Sequence, residues 1–154
     1  MTTITPLIRP FTPADQGAAR ALILAGLGER FGFIDETRNP DLDDIAARYL
    51  ALGHVVLVAE VAGEVVGTGA LLFESDGATC QLARVSTHHD LRRSGIARAL
   101  VASLLVVARE RERRRIWVET DQPWHDAIAL YERMGFMVYE RRDGLVLLEL
   151  SLAG

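Results

Sequence analysis

The stretch Arg92-Arg93-Ser94-Gly95-Ile96-Ala97-Arg98 decides how this chain is read, because it follows a strand and opens a helix with three arginines around one glycine. Cations at the positive end of a helix dipole cost about 0.3–1 kcal/mol each, so something should offset them. A bound anion is one answer. Unpaired first-turn N–H groups, the close approach allowed by Gly95 and the guanidinium groups would together cradle a phosphate. A solvated helix start accounts for the same residues equally well at this point. The glycine spacing of a dinucleotide-binding turn is absent. Arg109, Arg111, Arg113, Arg114 and Arg115 lie near the other end of the helix, where the dipole favours cations, and need no ligand.

Thr79 to Thr87 reads as the strand before this turn, and the helix runs from Ser94 or Gly95 to about Arg111. Upstream, Leu7 to Phe11 is a short strand. Ala14-Asp15 opens a helix to about Gly26, and Pro40 to Leu52 is a second helix ended by Gly53. His54 to Val61 and Glu64 to Phe73 form a hairpin around Ala62-Gly63, and Asp76-Gly77 turns the chain into the next strand. Downstream, Ile116 to Thr120 is a strand and Ala127 to Met134 a helix. Phe136 to Arg141 and Leu145 to Leu152 close a hairpin at Asp143-Gly144. The order β-α-α-β-β-β-α-β-α-β-β predicts an α/β fold with a mixed, mostly antiparallel sheet flanked by helices and at least one parallel crossover.

The 154 residues fit one domain, 1–154, and 49% hydrophobic with 25% charged residues describes a globular chain. All 17 basic residues are arginine. Without lysine there is no Walker-A loop and no Schiff-base chemistry. Cys80 is the only cysteine, so an intrachain disulfide and a multi-cysteine zinc site are excluded. His54, His88, His89 and His125 show no helical ligand spacing, and no metal is expected. The net charge of −4 does not suggest nucleic acid as a partner. No apolar run spans a bilayer and no secretory signal is apparent, so the expected compartment is a reducing cytoplasm, with no membrane partner.

The motif Arg92-Arg93-Ser94-Gly95-Ile96-Ala97 resembles the Q/R-x-x-G-x-G/A signature of the GNAT superfamily of acetyl-CoA-dependent N-acetyltransferases. Leu82 to His88 looks like the strand that precedes that signature. Ala127-Ile128-Ala129-Leu130-Tyr131-Glu132-Arg133-Met134-Gly135-Phe136 is similar to the family's second signature helix, A-x-x-L-Y-x-x-x-G-F. The element order agrees over nearly the whole chain.

The resemblance implies a cofactor site and a reaction. Acetyl-CoA would place its pyrophosphate on the backbone N–H groups of Arg93 through Arg98, with Arg92 alongside. Its pantetheine arm would pair with Val85, Ser86 and Thr87 as an added strand. The acetyl group would lie where this strand and the Ile116–Thr120 strand splay apart. Tyr131 would act as acid to the departing thiolate, and a backbone N–H near Thr87 would serve the oxyanion. From helical spacing alone, Tyr131 shares a buried face with Ala127, Leu130 and Met134, which also suits a simple core residue. Family members often carry an asparagine near the start of the second signature helix that contacts the cofactor. Trp124 stands there in this chain, with Gln122 and His125 nearby, so the resemblance stops short of that contact.

An attacking amine must lose a proton, and the candidate bases are Glu119, Glu74 and His88, each equally readable as a strand-end residue. Glu119 ends the strand beside the expected acetyl site. Between Glu29 and Asp44, the acids Glu29, Asp35, Glu36, Asp41, Asp43 and Asp44 interleave with Phe31 and Phe33. That composition suits a small cationic amine or polyamine-like acceptor, or simply a solvated loop. Trp117 and Trp124 would line the same site or fill the core. Cys80 reads as a small core residue rather than a nucleophile. Three readings compete: acetyl transfer to a primary amine in a ternary complex, an acetyl-CoA-binding sensor without turnover, and acetylation of a protein amine. A homodimer is compatible with each.

Overall fold

A computed structural model describes residues 4–32 and 38–152. Seven strands form one sheet in the order β1-β2-β3-β4-β5-β7-β6, where β1 is Leu7–Pro10, β2 Val55–Val61, β3 Glu64–Phe73, β4 Thr79–Thr87, β5 Arg115–Asp121, β6 Met137–Arg142 and β7 Leu145–Ser151. Neighbouring strands run antiparallel except β4 and β5, which are parallel. The crossover between those two is helix α3, Ile96–Glu110. The expected mixed, mostly antiparallel α/β architecture and its element order are found.

Two helical layers cover the sheet. On one face, α3 and α4 (His125–Arg133) bury Ile96, Leu100, Leu104 and Tyr131 against β-residues such as Leu71, Leu82, Ile116 and Leu148. On the other face, α1 (Gln16–Phe31) and α2 (Ile45–Arg48) bury Ala19, Ile23, Leu24 and Ile45 against Val56, Val58 and Ala70. Alternation along β2 sends neighbours to opposite layers: Leu57 joins the first core and Val58 the second. Helix α3 lies hard on β3 because that strand offers glycine where the helix crosses. A Cβ on Gly67 would stand 2.8 Å from both Ile96 Cγ2 and Leu100 Cδ1.

Two hairpins have the left-handed central residues that match strand twist, Ala62-Gly63 at φ 52° and 82° and Asp143-Gly144 at 52° and 77°. Two elements differ from the expectation. Helix α1 continues five residues beyond Gly26 and ends at Gly32, whose φ of 83° and N–H bond to the Gly28 carbonyl form the cap. Gly26 does not break the helix because it is a contact point: a Cβ there would meet Ser86 Oγ at 2.9 Å. Tertiary packing overrides propensity at that residue. The expected helix from Pro40 to Leu52 is three short pieces, 3₁₀ turns at Pro40–Asp43 and Leu50–Leu52 around α2. Asp44 interrupts it by capping a new start, accepting from the Ala47 N–H at 3.0 Å.

Candidate active site

Parallel pairing between β4 and β5 ends at Leu82 and Val118. From there β4 continues to Thr87 and β5 to Asp121 without pairing to each other, so the strands diverge and leave two backbone edges facing a cleft. A bulge in β4 accompanies the divergence. Its register against β3 slips by one residue between the Ala83 and Ser86 pairs. Arg84 sits there at φ 53°, a left-handed conformation that costs a side-chain-bearing residue energy. Two contacts hold it. The Thr68 hydroxyl donates to the Arg84 carbonyl at 2.8 Å, and the guanidinium grips Asp41 at 2.7 and 3.1 Å. Tyr49 donates to the same Asp41 carboxylate at 2.5 Å.

The resulting cleft has a volume of about 1100 Å³ and is walled by the C-terminal half of α1, the unpaired halves of β4 and β5, the start of α3 and one face of α4. Val85, Ser86, Thr87, Arg92, Arg93, Gly95, Ile96, Ala97, Arg98, Glu119 and Tyr131 all line it. Ser94 alone among the expected residues does not line it; it is 6% exposed and its hydroxyl donates to the Leu91 carbonyl. Of the three candidate bases, Glu119 lines the cleft. Glu74 instead accepts from the Trp117 indole, and His88 Nδ1 accepts from the Asp90 N–H at 3.2 Å.

The start of α3 is open. Gly95 takes φ 93° as the N-cap and no side chain caps the helix, which leaves the first-turn N–H groups directed at the cleft. Arg93 is also left-handed, at φ 63°. Arg92 pairs with Glu29 of α1, while Arg93 and Arg98 hold no ion pair among the described residues. Backbone donors and guanidinium groups therefore converge as an anion requires.

The wall formed by α4 and the end of β5 is acidic and aromatic. Arg30 reaches from α1 to α4, bonding both Asp126 oxygens at 3.1 and 2.9 Å and stacking 4.5 Å from the Trp124 ring centre. Phe31 packs 5.4 Å from the same ring. Asp121 lines the cleft beside this group, and burial raises its carboxyl above the usual range against the pull of Arg30. Tyr131 is 5% exposed, with its ring 5.6 Å from Phe136 and no hydrogen-bond partner for its hydroxyl among the described residues. Burial pushes its pKa well up, so it stays protonated. Thr87 Oγ1 is likewise buried without a partner. The His88 N–H donates across β3 to the Val66 carbonyl at 2.9 Å, so strand alternation turns the Thr87 N–H to the cleft edge.

Most acids of the Glu29–Asp44 segment are engaged within the chain: Glu29 with Arg92, Asp41 with Arg84, Asp43 with Arg20 at 3.5 Å, and Asp44 as a cap. Phe33, Asp35 and Glu36 lie outside the described residues. Trp124 lines the cleft. Burial pushes the Cys80 thiol up to about 11, which suits a core residue. His88, His89 and Asp90 bring potential ligand atoms within 4.8 Å of one another in an exposed turn, although no metal was expected. No helix among the described residues is long and apolar enough to cross a membrane.

The sequence reading missed Asp121, Arg30 and Asp126. Asp121 was within reach, since a strand places it on the same face as Glu119 two residues earlier. The Arg30–Asp126 pair joins residues 96 positions apart and leaves no local signal.

Residues 16–136 match the acetyltransferase (GNAT) family. The chain is 31% identical over 138 residues to the uncharacterized N-acetyltransferase YjgM of Escherichia coli, covering 86% of this chain and 82% of that protein. It is 36% identical over 111 residues to human N-acetyltransferase 8, covering 68% of this chain but 48% of the relative, so it spans about half the length of that protein. The structure of yncA from Salmonella typhimurium, solved with its cofactor acetyl-CoA, superposes with a TM-score of 0.79 at 22% identity over 98% of this chain and 96% of that one.

Proposed function

This chain belongs to the acetyltransferase (GNAT) family, and on that premise we propose that it moves the acetyl group of acetyl-CoA to the primary amine of a cationic acceptor by direct attack in a ternary complex. The observation that carries the reading is the polarity of one cleft. Arg93, Arg98 and open helix N–H groups lie at the start of α3, Glu119, Asp121 and Asp126 lie on β5 and α4, and the splayed strands line the same cleft. A polyanionic donor suits the first group and a cationic acceptor the second.

The residues fit the donor. Its pyrophosphate suits the N–H groups at the start of α3 with Arg93 and Arg98, and its amide-bearing arm suits the unpaired β4 edge at Val85–Thr87. The unpartnered Thr87 and Tyr131 hydroxyls offer donors along the way. Acetyl-CoA supplies an acyl thioester that an amine can attack.

The protein's part is positioning and proton management. Glu119, directly or through water, takes the proton that frees the amine lone pair. A C–N bond forms and the C–S bond breaks. The Thr87 N–H faces the oxygen on which negative charge grows. Tyr131 donates a hydrogen bond to the departing sulfur, which ends as a thiol, while the nitrogen sheds its second proton to solvent. Tyrosine ordinarily holds its proton more tightly than a thiol and burial strengthens that hold at Tyr131, so full transfer from tyrosine is uphill, and water supplies the proton that the thiolate takes up.

Amine-dependent thiol release from acetyl-CoA tests this. Tyr131→Phe should lower kcat about 10- to 100-fold with little change in the acetyl-CoA KM. Tight acetyl-CoA binding without turnover on any amine would instead favour a sensor.

A further inference from the structure

We infer that Asp121 is the acceptor-selecting residue of this cleft, taking the second ammonium of an α,ω-diamine whose first nitrogen attacks beside Glu119. The inference rests on the acetyl-transfer reading above and names the acceptor class it leaves open.

Three observations converge. The first is charge balance. On the α4 side of the cleft, Asp121 and Asp126 lie with Arg30, and Arg133 lines the same cleft. Both bonds of the Arg30 guanidinium go to Asp126, and Asp121 has no side-chain hydrogen bond among the described residues. The Asp121 carboxyl therefore holds no ion pair among the described residues, on a concave and partly desolvated wall. The second is the chemistry of the surroundings. The Trp124 face already holds a cation, Arg30, at 4.5 Å, with Phe31 against the same ring. Aromatic faces beside carboxylates recognise organic cations and disfavour anions. The third is the unused polar group in the same cleft. Tyr131 lines the cleft together with Asp121, Arg30 and Asp126, its residue is 5% exposed, and its hydroxyl has no hydrogen-bond partner among the described residues.

Geometry then sets the acceptor's length. Glu119 and Asp121 are two residues apart on one face of β5, a separation of roughly 6–7 Å from strand rise. An ammonium at Asp121 and an amine at Glu119 match the two ends of a diamine with about four methylenes. Arg30 tunes the preference, because it neutralises Asp126 and would neutralise Asp121 if released.

The test compares kcat/KM for 1,4-diaminobutane and n-butylamine, which share a length but differ by one ammonium. The wild type should favour the diamine. Asp121→Asn should cut that preference about tenfold, the loss expected for one charge-assisted hydrogen bond. Asp126→Asn frees Arg30 toward Asp121 and should cut it in the same direction. Arg30→Gln leaves both carboxylates bare and should raise it, a change of opposite sign that misfolding does not produce. Turnover with a diamine-to-monoamine ratio untouched by Asp121→Asn would overturn this inference and leave acetyl transfer standing. Absence of amine-dependent thiol release in the wild type would overturn both.

Discussion

Replacing Asp41 by alanine tests how the bulge that opens the cleft is held. The Asp41 carboxylate accepts from Tyr49 Oη at 2.5 Å and from Arg84 Nη2 and Nε at 2.7 and 3.1 Å. The side chains of Arg84 and Asp41 are 24% and 22% exposed, so the pair lies between a surface bridge, worth about 0–1 kcal/mol, and a fully buried one, whose breaking costs about 3–5 kcal/mol. Arg84 keeps Asn39 Oδ1 as an acceptor at 3.2 Å, which limits the damage. A loss of about 2 kcal/mol follows, or a melting temperature lower by about 4–8 °C for a chain of this size. The pH dependence has a definite sign. Burial raises the Asp41 pKa, but the Tyr49 hydroxyl and the Arg84 guanidinium outweigh it and hold the carboxyl below its ordinary value. Its contribution is therefore fully present above the unfolded carboxyl pKa of about 3.9 and is lost as pH falls through the folded value. Urea unfolding followed by circular dichroism should show the gap between wild type and Asp41→Ala narrowing from pH 7 to pH 3. Tyr49→Phe should cost about 1 kcal/mol, and the double variant less than the sum of the two. A gap under about 0.5 kcal/mol at pH 7, or one that widens in acid, would refute the argument.

Three other outcomes are expected. Gly95→Ala places a Cβ at φ 93°, which strains the start of α3; the acetyl-CoA KM should rise several-fold and stability fall by about 1 kcal/mol, read by steady-state kinetics and melting. Gly67→Val overpacks the contact with Ile96 and Leu100 and should cost about 1–3 kcal/mol in urea unfolding, with m unchanged. Cys80, fully buried with its thiol pushed up to about 11, should resist a disulfide reagent at pH 7 in the native protein and react promptly once denatured.

Much of the cleft was legible in the chain because its ingredients are local. The run from Thr79 to Arg111 encodes strand, turn and helix in continuous sequence, and the arginines and Gly95 fall at the helix start by their order alone. Tyr131 follows from a helical stripe within one short helix. These are nearest-neighbour properties, set by backbone sterics and by periods of 2.0 and 3.6 residues.

Long-range packing sets which of those local features face each other. Nothing near Arg30 announces that it will stack on Trp124 and clamp Asp126, and nothing near Asp41 announces Arg84, 43 positions away. The acids from Glu29 to Asp44 looked available for an acceptor, yet Glu29, Asp41 and Asp43 are matched by Arg92, Arg84 and Arg20 and Asp44 serves as a cap, while Glu119, Asp121 and Asp126 line the cleft. Gly26 looked like a helix end and is a packing contact. A carboxylate's role depends on which cation lies within a few ångströms of it and how much water remains. That distance is a property of the folded sheet and its two helical layers, whereas the strands, helices and turns that build them are written residue by residue in the chain.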